Sequence, residues 1–284
     1  MVVLTRPSTA LAAARGGLLR GPSRAARRCV APRSELDLDN ASVLVAGGGG
    51  CGIEVTRRLK DLGSWVWQLQ RTDVRRKEIE SMMAIVVNGD ACKPEDVERA
   101  FASIDGVDAV VSTIGGTTAD PTADSQGNIN LIEAAVRHGV KKFVLVTSIG
   151  TGDSKGATPP HVYDVLKPVL LEKEKAEDRL KEAGNTLSFV IVRPGGLKSE
   201  PATGTGVLTE DTTVCGSITR ADVADLVVKA LRRQGRSLNL TMPLFGCHLT
   251  NAFLSLCSDK TNGKVLSAVD SVSIAEPKFE VFQC

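Results

Sequence analysis

No run of 18 or more apolar residues occurs in this chain of 284 residues, so no membrane-spanning helix is expected. Residues that build metal and disulfide sites are scarce. There are three histidines (His138, His161 and His248). The seven cysteines are scattered (Cys29, Cys51, Cys92, Cys215, Cys247, Cys257 and Cys284), and none form a C-x-x-C pair. That spacing predicts neither a zinc site nor a disulfide framework, so no metal is expected and the thiols are read as reduced. Tyr163 is the single tyrosine, so any chemistry that needs a phenol rests on it alone. Acids are missing from residues 1–34, which hold seven arginines and no lysine, amid Ala, Ser, Thr and Gly. The apolar core of a secretory signal is absent from this stretch. The pattern predicts an organelle transit peptide over 1–34, with cleavage near Ala31, for the chloroplast first and the mitochondrion second. A disordered basic tail is the plain alternative.

Without residues 1–34 the chain has 28 basic and 33 acidic side chains, a net charge of −5. A mildly acidic protein offers no general basic face, so no nucleic acid is expected as a partner. The remaining 35–284 is long enough for one sizeable core.

What is present is an alternation of short apolar, β-branched runs with helical patterns. Strands are expected at 42–46, 65–70, 84–90, 108–116, 141–150, 187–196, 238–242 and 264–270. Helices are expected at 51–62, 73–83, 94–104, 125–139, 168–184 and 219–233. Nearly continuous apolar strands between helices mean a parallel sheet covered on both faces, a doubly wound α/β fold of Rossmann type in a single domain. Residues 243–284 carry no readable motif, although the ending PKFEVFQC suggests a packed strand or tail.

The first strand runs into AGGGGCG, where Gly47, Gly49 and Gly52 satisfy G-x-G-x-x-G, and Gly48 and Gly50 add freedom. The first glycine makes a tight turn. The second lets the backbone approach a pyrophosphate, and the third lets the helix pack close to the strand. Cys51 lies inside this loop. The second strand ends in QLQRTD, with Gln70 where an NAD-binding unit places a carboxylate, and Arg71 after it. An arginine attracts the 2′-phosphate that a carboxylate repels, and Arg75 and Arg76 add to the field. The expected cofactor is NADP(H) rather than NAD(H).

The motif order resembles the atypical short-chain dehydrogenase/reductases with NmrA-like and biliverdin-reductase-B-like members. It is carried by VLVAGGGGCG, VNGDACKPEDVERAF, DAVVSTIGG, GNINLIEAAVRHGVKKFVLVTSIG, EKEKAEDRLKEAG, VIVRPGGL and ITRADVADLVVKAL, over residues 42–233. Plant and cyanobacterial members with the segment seen here as GGLKSEPATG look most alike. The resemblance implies that Asp90 and Ala91 border the adenine, and that Thr113, Ile114 and Gly115 line the cofactor. It also implies Thr147, Ser148, Pro194 and Gly195 near the nicotinamide.

HVYDVLK puts Lys167 four residues after Tyr163, the spacing of a reductase proton-transfer pair. Pro168 argues against it, because proline disfavours a helical residue before it and fits best at a helix start. The helix is therefore expected to begin at Pro168, leaving Tyr163 and Lys167 in a loop. Val169, Lys173, Ala176 and Leu180 then share one stripe, which turns Lys173 towards the sheet, where it needs a partner. By the resemblance, Lys173 is the lysine of Tyr-x-x-x-Lys, and Val169 replaces the tyrosine. Candidate catalytic residues are Lys173, Ser148 at the end of the strand FVLVTS, and Tyr163 as a substitute acid. The polar stretches 148–160 and 196–216 suit substrate walls. Arg193 is read as an anchor of the sheet end, and Arg220 and Asp222 as a helix start. Two functions follow. One is an NADPH-dependent oxidoreductase of a small conjugated or carbonyl substrate. The other is a non-catalytic NADPH-binding sensor or assembly factor with a protein partner in the organelle.

Overall fold

Apolar side chains cover both faces of the central strands, and helices cover both faces in turn. The computed structural model describes residues 36–232 and 262–271, and the backbone of 281–283. Strand β1 (Ser42–Ala46) leads to α1 (Gly50–Asp61) and β2 (Trp65–Gln70). Next come α2 (Arg76–Ser81), β3 (Ile85–Asn88), α3 (Pro94–Ala102) and β4 (Ala109–Ser112). Helix α4 (Asn128–Arg137), β5 (Lys142–Val146), α5 (Pro160–Glu182) and β6 (Ser188–Pro194) complete the alternation. The strands β7 (Gly196–Lys198), β8 (Gly206–Thr209) and β9 (Ser217–Thr219) follow. Last are α6 (Arg220–Leu231), β10 (Lys264–Asp270) and β11 (Val281–Gln283). The main sheet runs β11-β8-β10-β6-β5-β4-β1-β2-β3. Its strands β10, β6, β5, β4, β1, β2 and β3 are parallel, and β8 and β11 add an antiparallel edge.

Alternate residues of each strand feed separate cores, as the two-residue strand period requires. Val43, Val45, Val144, Val146, Val190 and Val192 pack with α1, α2 and α6. Leu44, Ala46, Phe143, Leu145, Phe189 and Ile191 pack with α3, α4 and α5. This is the doubly wound α/β fold expected from the alternation. The order reverses between β1 and β4, so the chain leaves these neighbours in opposite directions and opens a crevice at their carboxyl ends.

Three expectations change. Helix α5 starts at Pro160, not Pro168, and contains Pro168. Tyr163 and Lys167 are therefore helical. Pro160 occupies the first turn, after an extended Pro159, where the missing N–H costs nothing. Pro168 lies on an exposed part of the helix, as does Asp164, so water can serve the carbonyl of Asp164 that loses its partner. The stretch 148–160 is less of a loop than its polarity suggested. Gly152–Ala157 forms a 3₁₀ turn in which buried Ser154 accepts from the Gly150 N–H and donates to the Thr151 carbonyl. The stretch 196–216 supplies β7 and β8. The predicted strand 238–242 and the segment 1–34 lie outside the described residues.

Thr219 caps α6 by accepting from the Asp222 N–H at 3.0 Å. Asp222 in turn accepts from Thr203 N, Gly204 N, and the hydroxyls of Thr203 and Thr219. It thereby ties the turn before β8 to the start of α6. Burial pushes the Asp222 carboxyl up, but the bonds from Thr203, Thr219 and Gly204 together outweigh it and hold it below its usual range. A depressed carboxylate contributes stability above its unfolded pKa of about 3.9, and this is lost as pH falls through the folded value. Asp222→Asn should melt lower than the parent at neutral pH. Its melting temperature should also fall less steeply below about pH 4. Parallel acid limbs in a pH series of melts would contradict this account.

Candidate cofactor site

Chain direction reverses sharply where β1 meets α1, and the turn works only without side chains. Gly47 has φ +116, a region that favours glycine, and a Cβ there would stand 2.6 Å from Thr113 Oγ1. A Cβ on Gly52 would stand 2.1 Å from the Gly47 carbonyl oxygen, so the first turn of α1 rests directly on the loop. At Gly49, which precedes α1, nothing lies within 4 Å of where a Cβ would be. The first turn of α1 has no acid and no side-chain cap. Its partial positive charge is left facing open space, as anion-binding helix starts require.

That space is a cavity of about 410 Å³ at the carboxyl ends of β1, β2 and β4. Of the residues expected at a cofactor, Gly47, Gly48, Gly49, Arg71, Asp90, Ala91, Thr113, Ile114 and Gly115 line it. Gly50, Cys51 and Gly52 sit behind the loop in α1. Thr147, Ser148, Pro194 and Gly195 stand at the ends of β5 and β6, outside the cavity wall.

The wall at β2 carries an unmet donor. Gln70 is buried, lines the cavity, and its Nε2 has no hydrogen-bond partner among the described residues. An unmet buried donor is costly, and a ligand oxygen would satisfy it. Arg71 and Arg75 line the same cavity, exposed, with no ion pair among the described residues. Arg76, expected to strengthen this field, is instead bound to Asp73 and Glu80. Burial pushes the Cys51 thiol up, against the opposing charge of Arg220. Burial and Asp90 push Cys92 up as well. Both therefore stay in the poorly reactive thiol form.

The partner that Lys173 needed is Asp124. Lys173 Nζ lies 2.7 Å from Asp124 Oδ1, and the Asp124 side chain is fully buried. Asp124 Oδ2 accepts from Gly116 N at 2.8 Å. A single π turn, Ala123–Gly127, presents this aspartate. Asn128 fastens the turn: it donates to the Asp124 carbonyl and accepts from Ser112 Oγ. A Cβ on Gly115 would be 3.4 Å from Asp124 Oδ1 and 3.6 Å from Lys173 Nζ, so the ion pair lies just beneath a glycine of the cavity wall. Beside it, Glu177 accepts from Thr147 Oγ1 at 2.7 Å and from Arg193 Nε and Nη2 at 3.0 and 2.6 Å. Arg193 also holds Asp153, which pins the 3₁₀ turn to the sheet end.

Ser148 is half-buried and donates to the Ile149 carbonyl. Tyr163 stacks under the Lys155 ammonium, 5.0 Å from its ring centre. It lies ten positions before Lys173 in the helix, about 15 Å along the axis, so the two do not form the usual pair. Val169, one turn before Lys173, is half-buried and carries no acid. Sequence reading missed Asp124, because the signal that places it is a π turn with no spacing rule. It also missed the unmet amide of Gln70, which only burial reveals.

The chain belongs to the NAD(P)H-binding family, whose model matches residues 47–234. It is 38% identical over 122 residues to an uncharacterised chloroplastic protein of Arabidopsis thaliana, covering 41% of this chain and 43% of that one. It is 36% identical over 104 residues to the photosystem II assembly factor Ycf39 of Synechocystis, covering 36% and 32%. The chain thus spans less than half the length of these two relatives. Its fold is that of ChuY, an anaerobillin reductase from Escherichia coli O157:H7. That likeness has a TM-score of 0.64 and 24% identity, over 84% of this chain and all of that one.

Glu177→Gln removes the charge facing Arg193 inside the sheet end. It should cost about 3–5 kcal/mol in urea unfolding, the usual effect of breaking a buried pair. Lys181→Ala removes an exposed neighbour 3.9 Å from Glu177 and should cost under about 1 kcal/mol.

Proposed function

We propose that this chain is an NADP(H)-binding oxidoreductase acting on a small conjugated or carbonyl substrate in the chloroplast. The observation that carries the reading is the Nε2 donor of Gln70, unmet among the described residues, in a cavity wall shared with Arg71 and Arg75, where an NAD-binding site would hold a carboxylate. A donor with two cations fits the acceptor-only oxygens of a 2′-phosphate. The open glycine turn fits a pyrophosphate, and the residues present therefore fit the dinucleotide. When bound, NADPH supplies a hydride to the substrate. The chain holds and orients it. In this reading Lys173, kept in place by Asp124, donates to the ribose on the nicotinamide side. Ser148 turns its hydroxyl to the substrate oxygen, and water returns the proton. The absent acid at Val169 fits a substrate that needs little proton assistance.

That same valine favours a second reading, a non-catalytic NADPH-binding assembly factor, which the similarity to Ycf39 supports by analogy. Residues 1–34 are read as its chloroplast transit peptide. A fluorescent reporter carrying them should enter plastids, and a reporter left in the cytosol or in mitochondria would count against this.

Titration of the full chain should show NADPH binding more tightly than NADH. Arg71→Gln should reduce NADPH affinity about tenfold and leave NADH unchanged. Equal affinities in the parent would remove the preference. NADPH oxidation against quinones, flavins and carbonyls should survive Tyr163→Phe and fall in Ser148→Ala and Lys173→Met. Tight binding with no turnover on any substrate moves the assignment to the second reading.

A further inference from the structure

We propose that Arg220 is a ligand of the cofactor diphosphate, reaching the site from a segment some 170 residues beyond the glycine loop. This rests on the cofactor reading above. Helices α1 and α6 lie side by side, held in part by Arg58 and Asp225, whose Nε and Oδ1 are 2.6 Å apart. Arg220 is the first residue of α6 and crosses to the start of α1. A Cβ on Gly50 would stand 2.7 Å from Arg220 Cδ and 3.2 Å from its Nε. The Cδ–Nε stretch of Arg220 therefore occupies the space that a side chain at position 50 would take, which brings the guanidinium alongside the start of α1. Its charge is felt at Cys51 on the next residue.

Arg220 is held from one side by neutral groups. Its Nη1 donates to Ser199 Oγ at 2.6 Å and to the Leu197 carbonyl at 3.5 Å. The short ladder of β7 and β9 positions these, since Lys198 pairs with Thr219, the residue before Arg220. Among the described residues no carboxylate lies within ion-pairing distance of Arg220. Arg58 and Arg193, by contrast, are matched to acids. An anchored guanidinium without an anion, beside the uncapped start of α1, adds a full charge to the partial charge of the helix. Two cationic ends result: Arg71 and Arg75 at the end of β2 for the 2′-phosphate, and Arg220 at α1 for the diphosphate.

Two ligands separate these ends on the full chain. NADPH carries both phosphate groups; adenosine 2′-monophosphate carries only the one at β2. Arg220→Gln should weaken NADPH about tenfold and leave adenosine 2′-monophosphate unchanged. Arg71→Gln should weaken both. Arg220→Lys, which keeps the charge and loses the fork, should fall between the parent and the glutamine variant. Ser199→Ala, which frees the guanidinium from its neutral anchor, should lower NADPH affinity only and serves if Arg220→Gln does not fold. Unchanged NADPH affinity in folded Arg220→Gln, or an equal loss of both ligands, would overturn the proposal and leave Arg220 a packing residue. A parent protein that binds neither ligand would instead remove the cofactor reading on which the proposal stands.

Discussion

The bare backbone of Gly52 rests against the carbonyl of Gly47, and the site depends on that approach. It draws the start of α1 under the end of β1, closer than any side chain would allow. Thr113, at the end of β4, closes on the same turn from the other side and donates to the Ala46 carbonyl. One contact therefore joins the three elements that border the switch point of the sheet. The crevice, the exposed helix start and the room at Gly49 all follow from it.

Charge is then distributed by depth. Inside, two cations have their counterparts: Lys173 with Asp124, and Arg193 with Glu177, while Arg193 also reaches the exposed Asp153. Such pairs add little net stability over apolar packing, yet removing one partner is expensive. Their value here is position, since they fix α5, the π turn and the 3₁₀ turn against the ends of β4 to β6. At the rim the pattern is the opposite. Arg71, Arg75 and Arg220 have no acid among the described residues, and Gln70 has a donor unmet. Open cations beside an unmet donor suit an anion, in contrast with the matched pairs beneath them.

Along α5, Val169 precedes Lys173 by about one turn, and Tyr163 lies nearly three turns before Lys173 in the same helix. Lys173 is held by its ion pair with Asp124, so its position on the buried side of α5 does not depend on a neighbouring phenol.

Periodicity was enough to establish the alternation of β1 to β6 with α1 to α5, the burial of both sheet faces and the glycine turn, because each depends on residues adjacent in the chain. The stripe of Lys173, Ala176 and Leu180 was legible for the same reason. The start of α5 was not, because a local rule weighs Pro168 against its neighbours and cannot see that the helix there is exposed to water. Nor were β7 and β8, which are three or four residues long and become strands only when a partner is in register, whereas β11 falls in the ending PKFEVFQC that the sequence offered as a strand or tail. Asp124, the free amide of Gln70 and the reach of Arg220 to Gly50 were likewise invisible. Each is a contact between distant segments, set by side-chain direction and burial. The sequence by itself determined the fold and the glycine turn; the tertiary structure alone decided which charges meet and which stay open.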